Sequence, residues 1–214
     1  MTEDRPPVRG LYAIADMAVL DPRRWLAQVE AALAGGARLV QYRDKAGGRR
    51  QRLQRLRALV ALAREHGVPV IANDDPRLAA EGGAAGVHLG RDDPPVGEAR
   101  ALLGPAALIG ASCYDDLERA AAAARAGADY LAFGSFFPSP TKPGAVRVDA
   151  ALLGRARRRF RLPLVAIGGI TPDNAGALLA AGADALAVIS GLFAAPDPQA
   201  AAARYAALFP DEGL

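Results

Sequence analysis

The sequence predicts one α/β domain folded as a single (β/α)8 TIM barrel, and its length of 214 residues suits that fold. Eight short apolar runs alternate with stretches of helical length along the chain. Several runs are continuously apolar, as expected of parallel strands that are covered on both faces. The units are short and even, and none opens with the G-x-G-x-x-G turn of a doubly wound sheet. These features favour a closed barrel over an open sheet.

The apolar runs and the segments between them define the predicted elements. Strands are expected at residues 11–15, 39–42, 69–72, 86–89, 107–111, 130–133, 164–167 and 185–189. The clearest helical stretches are residues 23–34, 51–66, 115–126 and 172–181. No linker or change of composition interrupts the pattern, so we expect the domain to span residues 1–214, with a short N-terminal extension at residues 1–9.

The ends of the helical stretches carry signals of their own. Glycine follows three of them, because a left-handed residue closes the last helical turn at little steric cost. These glycines are Gly35-Gly36, Gly127 and Gly182. Residues that resemble N-caps stand at three helix starts, two of them followed by a proline that suits the first helical position. These candidate caps are Asp21, Asp115 and Thr171.

Composition narrows the class of protein. Hydrophobic residues make up 51% of the chain and charged residues 23%, which is enough to bury a sizeable core. No apolar run reaches the length needed to cross a bilayer, and residues 1–10 do not resemble a secretory signal. Cys113 is the single cysteine, which agrees with a reducing compartment. We therefore expect a cytoplasmic protein without a membrane partner.

The net charge of +3 is weak evidence for a nucleic-acid partner. Much of the positive charge falls in two arginine-rich stretches, residues 49–64 and 155–161. A surface for nucleic acid would have aromatic residues between the basic ones, and these stretches contain only Phe160. We interpret both as solvated helix faces and expect no nucleic-acid partner.

Polar residues directly after the strands are the candidate functional residues, since active sites of barrels lie on these loops. Residues 41–45 follow the second strand and contain two cations. Arg43 could bind a diphosphate through bidentate hydrogen bonds, and Lys45 could bind it as a point charge. The alternative is a surface loop with an internal Arg–Asp pair.

Carboxylates follow the next two strands. Asp74 and Asp93 stand on adjacent predicted loops, where they could ligate one Mg2+ that also contacts substrate phosphate. The alternative is that each is a helix cap.

His88 lies inside an apolar run, which is more typical of a packed core histidine than of a catalytic one. No histidine stands near Cys113 in the sequence, so a thiol nucleophile is not predicted.

The last three strand ends favour phosphate binding. The loop at residues 134–144 combines prolines with the hydroxyls of Ser139 and Thr141 and the ammonium of Lys142. Gly169 follows the seventh strand, and Ser190 follows the eighth. Loops in these positions often bind phosphate through backbone N–H groups, and glycine allows a close approach.

Taken together, these segments resemble the thiamine-phosphate synthase (thiamine-phosphate pyrophosphorylase) family. The matching stretches stand at every strand end, in order, over nearly the whole chain. They are residues 11–16, 40–45, 72–74, 86–90, 110–112, 139–143, 167–170 and 188–190. The agreement of all eight is far more specific than any one motif.

The resemblance implies a reaction and a site. A 4-amino-2-methyl-5-(diphosphooxymethyl)pyrimidine would condense with 4-methyl-5-(2-phosphooxyethyl)thiazole to give thiamine phosphate and diphosphate. The residues implied for the pyrimidine diphosphate are Gln41, Tyr42, Arg43, Asp44, Lys45, Asn73, Ser112 and Lys142, of which Arg43, Lys45, Ser112 and Lys142 would be catalytic. Those implied for the thiazole phosphate are Ser139, Pro140, Thr141, Gly169, Ile189 and Ser190. Asp74 and Asp93 would hold Mg2+ as cofactor.

The implied chemistry suits these residue types. The exocyclic CH2–O bond would break to give a pyrimidine carbocation that the amino group stabilises, and the thiazole nitrogen would capture it. That nitrogen carries no proton, so no general base is required. The protein must stabilise the leaving diphosphate and orient two rings.

The sequence departs from the family pattern at three places, none of which removes a proposed charge. Asp44 and Ser139 replace a frequent glutamate and threonine, and Cys113-Tyr114 replaces a frequent hydroxyl residue and histidine.

Two other functions stay open: a relative resembling thiazole tautomerase, and a non-catalytic sensor of a phosphorylated ligand. The first would need a proton-transfer residue, and Cys113-Tyr114 does not supply a histidine there. The oligomeric state is open, with a homo-oligomer among the expectations.

Overall fold

The computed structural model describes residues 6–139, 144 and 146–209. Eight parallel strands form a closed barrel in the order β1 to β8, and β8 pairs with β1. The strands are β1 (Gly10–Asp16), β2 (Ala37–Arg43), β3 (Val70–Asn73), β4 (Gly86–Leu89), β5 (Leu108–Tyr114), β6 (Tyr130–Phe133), β7 (Leu164–Ile167) and β8 (Ala185–Val188). The predicted TIM barrel is confirmed.

Helices follow the strands and surround the barrel. Within the described residues they are α1 (Trp25–Ala34), α2 (Arg49–Glu65), α3 (Pro76–Gly82), α4 (Val96–Leu103), α5 (Leu117–Arg125), α6 (Ala150–Arg159), α7 (Gly176–Ala180), α8 (Ser190–Phe193) and α9 (Pro198–Ala206). No helix in these same residues is long and apolar enough to cross a membrane.

The predicted helix ends are confirmed in part. Glycines close three helices with φ angles of 101° at Gly36, 93° at Gly127 and 103° at Gly182, as predicted. The predicted cap Asp115 is wrong by one residue. Asp116 is the N-cap of α5, and its Oδ1 accepts hydrogen bonds from the N–H groups of Glu118 (2.8 Å) and Arg119 (3.0 Å). β5 extends to Tyr114 and is longer than the apolar run suggested, so the cap lies one residue later.

Two other predicted caps belong to turns that precede their helices. Asp21 accepts a hydrogen bond from the Arg23 N–H at 2.8 Å, but α1 begins only at Trp25. Thr171 and Asn174 exchange hydrogen bonds, from the Thr171 N–H to Oδ1 at 2.8 Å and from the Asn174 N–H to Oγ1 at 3.3 Å. This turn delays the start of α7, which is therefore shorter than predicted.

The core has two layers, as the barrel architecture requires. Side chains inside the barrel include Tyr12, Leu39, Ile71, Tyr130 and Val165, all almost completely buried. The side chains that alternate with them point outwards and pack against the helices, in a larger cluster. Among the described residues the interior is therefore filled with side chains, and a cavity opens toward the carboxyl ends of the strands.

One glycine makes room for the central tyrosine. A Cβ atom on Gly110 of β5 would lie 2.0 Å from Cζ of Tyr130 and 2.3 Å from its hydroxyl oxygen, distances that no real contact allows. The Tyr130 ring is completely buried and occupies the space that a side chain at position 110 would need. Gly110 thus fixes the position of the Tyr130 hydroxyl below the site.

We expect Gly110→Ala to lower the free energy of unfolding by about 1–3 kcal/mol, because the added methyl group overpacks the barrel interior. Urea denaturation measures this change. Gly97→Ala in α4 is the matched control, since a Cβ there meets nothing within 4 Å. The control should be neutral or slightly stabilising. Equal stability of the two variants would contradict the packing account.

Candidate active site

A cavity of about 620 Å³ opens at the carboxyl ends of the strands. This size is typical of small-molecule sites. It brings together eight of the sixteen residues that the sequence singled out on different loops. The predicted residues in its wall are Gln41, Arg43, Asn73, Ser112, Ser139, Gly169, Ile189 and Ser190. Pro140, Thr141 and Lys142 lie outside the described residues.

Arg43 is oriented by a carboxylate that sequence reasoning missed. Asp16, the last residue of β1, stands beside Arg43 in the β1–β2 register. Asp16 is 1% exposed and forms a salt bridge with the Arg43 guanidinium. Its other oxygen accepts a hydrogen bond from the Ala18 N–H at 3.0 Å. Asp16 thereby orients the Arg43 side chain at the cavity wall. The position of Asp16 at the end of a strand was the sequence signal that could have identified it.

Lys45, Asp74 and Asp93 form a charged cluster beside the cavity, next in the chain to wall residues such as Asn73 and Asp92. The Lys45 ammonium lies 2.7 Å from Asp74 Oδ2. The two carboxyl groups are close enough to share a hydrogen bond. The loops after β3 and β4 therefore do converge, as the sequence predicted.

The proximity of the two carboxyl groups separates their pKa values. Burial raises the pKa of Asp93, and the negative charge of Asp74 raises it further, against the opposing hydrogen bond from the Gly90 N–H. Burial would also raise the pKa of Asp74, but hydrogen bonds from Lys45 and Asp93 outweigh it, and that pKa is lowered. Such a pair attracts a cation.

Neither carboxylate is a helix cap. Asp75 caps α3 and accepts a hydrogen bond from the Leu78 N–H at 2.9 Å, while Asp74 has a left-handed φ of 67°. Asp93 Oδ2 accepts a hydrogen bond from the Gly90 N–H at 2.6 Å within its own loop, and α4 starts after Pro95. The cap alternative is therefore wrong for both.

Two hard oxygen ligands are the kind of donor set that Mg2+ uses when water and substrate phosphate complete its coordination. Among the described residues no group of three or more His, Cys, Asp and Glu side chains is arranged to hold a metal ion. The observed cation at this place is the Lys45 ammonium, which contacts Asp74. The pair thus fits a metal that is shared with substrate, and does not form a site that encloses a metal by itself.

Tyr42 and Asp44 point away from the cavity. The Tyr42 hydroxyl donates to Asp44 Oδ2 at 3.0 Å, and Arg55 of α2 donates to the same oxygen at 2.8 Å. Asp44 Oδ1 accepts from the N–H groups of Ala46 (3.2 Å) and Gly47 (2.8 Å). Burial raises the pKa of Tyr42, and the Asp44 charge raises it further. These side chains shape the loop that carries Lys45.

The same contacts modify the interpretation of the first arginine-rich stretch. Arg55 is partly buried against Asp44, and Arg52 lies 3.6 Å from Asp75. Arg50 and Arg64 are exposed, as predicted for a solvated face. One edge of α2 thus supports the active-site loops, while the rest faces solvent.

A chain of buried hydrogen bonds crosses the floor of the cavity. Gln41 Nε2 donates to the Tyr12 hydroxyl at 2.8 Å, which lies 2.9 Å from the Tyr130 hydroxyl. Tyr130 lies 3.0 Å from Nδ1 of His88, and Nε2 of His88 lies 2.9 Å from Ser112 Oγ. His88 is buried and hydrogen-bonded, as expected of a core histidine, and it also lines the cavity. Sequence reasoning missed both tyrosines.

The Gln41 amide nitrogen can only donate, so the Tyr12 hydroxyl accepts at this end of the chain. The direction of the other three bonds depends on the His88 tautomer. When Tyr12 donates to Tyr130 and Tyr130 donates to Nδ1 of His88, the ring proton is on Nε2 and is donated to Ser112 Oγ. In this arrangement the Ser112 hydroxyl proton points to no floor residue and is available to a ligand in the cavity.

The opposite wall of the cavity consists of backbone held in place by side chains. Gly169 has a φ of 59°, and a Cβ atom there would lie 2.2 Å from the Pro138 carbonyl oxygen, so only glycine fits. Asn174 donates to the Gly169 carbonyl at 3.1 Å, and the buried Tyr205 donates to the Ile170 carbonyl at 2.8 Å. The loop after β7 is thereby fixed against the loop after β6.

Cys113 faces the helices and not the cavity. Its side chain is fully buried, and burial raises the pKa of the thiol to about 12. Its neighbours in the sequence, Ser112 and Tyr114, both line the cavity. The alternation of side chains along β5 accounts for this difference, and the structure agrees that Cys113 is not a nucleophile.

Comparisons with known proteins point to one family. The chain matches the family described as Thiamine monophosphate synthase over residues 11–192. It is 59% identical to the thiamine-phosphate synthase of Thiobacillus denitrificans over 203 residues, which cover 95% of this chain and 96% of that protein. It is 53% identical to the thiamine-phosphate synthase of Thioalkalivibrio sulfidiphilus over 209 residues, which cover 98% and 99%. Among solved structures it resembles thiamine phosphate pyrophosphorylase from Pyrococcus furiosus, with a TM-score of 0.83 and 35% identity over 92% of this chain and 93% of that chain.

We expect the native Cys113 thiol to resist alkylation by iodoacetamide from pH 7 to pH 9. A pKa of about 12, against an ordinary value of 9.0, lowers the thiolate fraction in this range by about 1000-fold. Mass spectrometry of quenched samples measures the rate. The chain unfolded in urea is the control and should react as an ordinary thiol. Similar rates for the folded and unfolded chains would mean that the cysteine is accessible and ionises normally.

Proposed function

This chain belongs to the thiamine monophosphate synthase family, and we propose that its cavity is where a pyrimidine diphosphate and a thiazole phosphate are joined. The products are thiamine phosphate and diphosphate, which makes the protein a transferase of thiamine biosynthesis. One observation carries the assignment of the site. A single cavity has a cationic wall at the end of β2 and a wall of glycine and hydroxyl residues at the ends of β6 to β8.

The cationic wall suits the pyrimidine diphosphate. Arg43 is held by Asp16 and can bind phosphate oxygens through two parallel hydrogen bonds. Lys45 adds a second positive charge beside it, and Asn73 and Ser112 add neutral hydrogen-bonding groups in the wall. Lys142 completes the proposed set. Tyr42 and Asp44 belong to it through the loop that they shape, since their side chains contact α2 and not the cavity.

Mg2+ is the proposed cofactor, with Asp74 and Asp93 as its protein ligands. The ion would neutralise charge on the diphosphate when bound. The Lys45 ammonium lies 2.7 Å from Asp74 Oδ2, beside the proposed ion. When a diphosphate is bound, Lys45 can turn from the carboxylate to the phosphate, because its side chain is 58% exposed.

The wall of glycine and hydroxyl residues suits the thiazole phosphate. Ser139, Gly169, Ile189 and Ser190 all line it. Thr141 and Pro140 are the remaining proposed members. Fixed backbone at Gly169 lets phosphate oxygens approach N–H groups closely without a charged side chain. The two anionic substrates therefore have separate anchoring regions, with space for both rings between them.

The chemistry needs stabilised charge and correct geometry. The CH2–O bond breaks, its electron pair leaves with the diphosphate, and the thiazole nitrogen donates its lone pair to the pyrimidine CH2 carbon. No proton moves in either step. Arg43, Lys45 and Lys142 stabilise the departing diphosphate, and the Ser112 hydroxyl can donate to one of its oxygens. The hydrogen-bonded floor from Gln41 to Ser112 fixes the position of the Ser112 hydroxyl and orients the plane of the pyrimidine ring.

The direct test incubates the purified protein with both substrates and Mg2+. Thiamine phosphate is measured by fluorescence after oxidation, and diphosphate by a coupled assay. We expect equal amounts of the two products and none when either substrate is omitted. Tight binding of the thiazole phosphate without turnover would instead indicate a sensor, and rearrangement of a thiazole carboxylate phosphate would indicate a tautomerase.

The metal assignment predicts how two substitutions combine. Asp74→Asn and Asp93→Asn should each lower kcat on the order of 10²-fold or more, and together cost much less than the product of the two losses, because both act through one ion. Asp75→Asn is the matched control, since asparagine caps a helix as well as aspartate does. It should keep kcat and its Mg2+ dependence, with at most a small loss of stability from the partly exposed pair with Arg52. Wild-type kcat in either of the first two variants would remove that residue from the site.

A further inference from the structure

A cation–aromatic stack stands at the mouth of the cavity, on the side where β4 and β5 end. Arg91 follows β4, and its guanidinium carbon lies 4.9 Å from the centroid of the Tyr114 ring. Tyr114 is the last residue of β5. Both residues line the cavity. Neither residue was predicted to have a role from the sequence.

The tyrosine is a fixed platform. A register irregularity precedes it in the β5–β6 pairing, and its φ of 56° lies in the left-handed region. Arg119 of α5 lies 5.8 Å from the same ring centroid and donates to the carbonyls of Ser112 and Gly90, both at 2.7 Å. These bonds tie the ends of β4 and β5 to one side chain. Strained backbone that its surroundings hold in this way is typical of functional sites.

Arg91 contacts the Tyr114 side chain through both its backbone and its guanidinium group. Its backbone N–H donates to the Tyr114 hydroxyl at 3.3 Å, and its guanidinium rests on the ring. Across residues 6–139, 144 and 146–209, no carboxylate forms an ion pair with Arg91, although Asp92 and Asp115 also line the cavity. A guanidinium stacked on a ring keeps its N–H groups at the edge, where they can bind an anion.

We propose that Arg91, positioned by Tyr114, is a specificity-determining residue that binds the outer phosphate of a diphosphate and distinguishes it from a monophosphate. This inference rests on the proposed function. Arg91 lies on the loop that also carries Asp93, and its platform Tyr114 is two residues after Ser112 in β5, so it borders the diphosphate region two strands away from Arg43. A monophosphate held by Arg43 and Lys45 would not reach it, whereas the second phosphate group would.

The test measures binding of inorganic diphosphate and of inorganic phosphate by calorimetry, each with Mg2+. Arg91→Met keeps an unbranched, largely apolar side chain and removes the charged guanidinium. It should weaken diphosphate binding on the order of tenfold to a hundredfold, the loss expected for a charge-assisted hydrogen bond, and leave phosphate binding within about twofold. Arg50→Met, an exposed arginine of α2, controls for the change in net charge and should alter neither.

Variants of the platform separate positioning from folding. Tyr114→Phe keeps the ring and should bind diphosphate nearly as well as wild type, while Tyr114→Leu should resemble Arg91→Met at an unchanged melting temperature. In the synthase assay Arg91→Met should raise KM for the pyrimidine diphosphate and leave KM for the thiazole phosphate unchanged. If the wild type is active but Arg91→Met binds diphosphate as wild type does, the role of Arg91 is overturned and the proposed function stands. An inactive wild type would overturn the proposed function, and the binding measurement would still test whether Arg91 recognises diphosphate.

Discussion

The pairing of β1 with β8 is the constraint on which the rest of the structure depends. Gly10 to Ala13 pair with Ala185 to Val188, and this ladder closes eight strands into one ring. Closure brings the loops after all strands to one rim and lets Tyr12 and Tyr130 meet across the interior at 2.9 Å. In the described part of the chain the interior below them is filled with side chains, and the cavity opens at the rim. The position of the site follows from closure and packing alone.

Charge at the rim is organised in ion pairs. Asp16 holds Arg43, Asp74 holds Lys45, and Asp44 holds Arg55. The buried carboxylate of Asp16 fixes the direction of its partner, while the Lys45 side chain is 58% exposed. A site prepared in this way loses little free energy to reorganisation when charge develops on a leaving group. This suits a reaction in which an anion departs and no proton is transferred.

The sequence was a good guide to the fold because its strands and helix ends carry local signals. The glycines at 36, 127 and 182 and the apolar runs needed no tertiary information. The exact N-cap of α5 did need it, because β5 continues past a register irregularity after Ser112 and the cap falls on Asp116 instead of Asp115. The length of α7 depended on a reciprocal turn between Thr171 and Asn174 that competes with the helix.

The site was predictable where residues follow a strand end, as with Arg43 and the pair Asp74 and Asp93. Side-chain alternation along β2 could also have separated Gln41 and Arg43, which face the cavity, from Tyr42, which faces the helices. The contributions of Tyr130 and Arg119 could not be read locally. Their partners are far away in the sequence and meet them only after the barrel has closed.

The central claim is that the site works by stabilising a departing diphosphate, so that the CH2–O bond breaks before the thiazole nitrogen bonds. The most direct measurement is the secondary deuterium isotope effect on kcat/KM for a pyrimidine diphosphate with two deuterium atoms on the exocyclic carbon. It is determined by competition in the wild type and in Arg43→Lys, where the loss of bidentate binding slows the chemical step. A carbon that becomes a planar cation loosens its C–H bending motions, so we predict a clearly normal effect in both proteins. An effect near unity in Arg43→Lys would show direct displacement by the thiazole nitrogen and contradict the account.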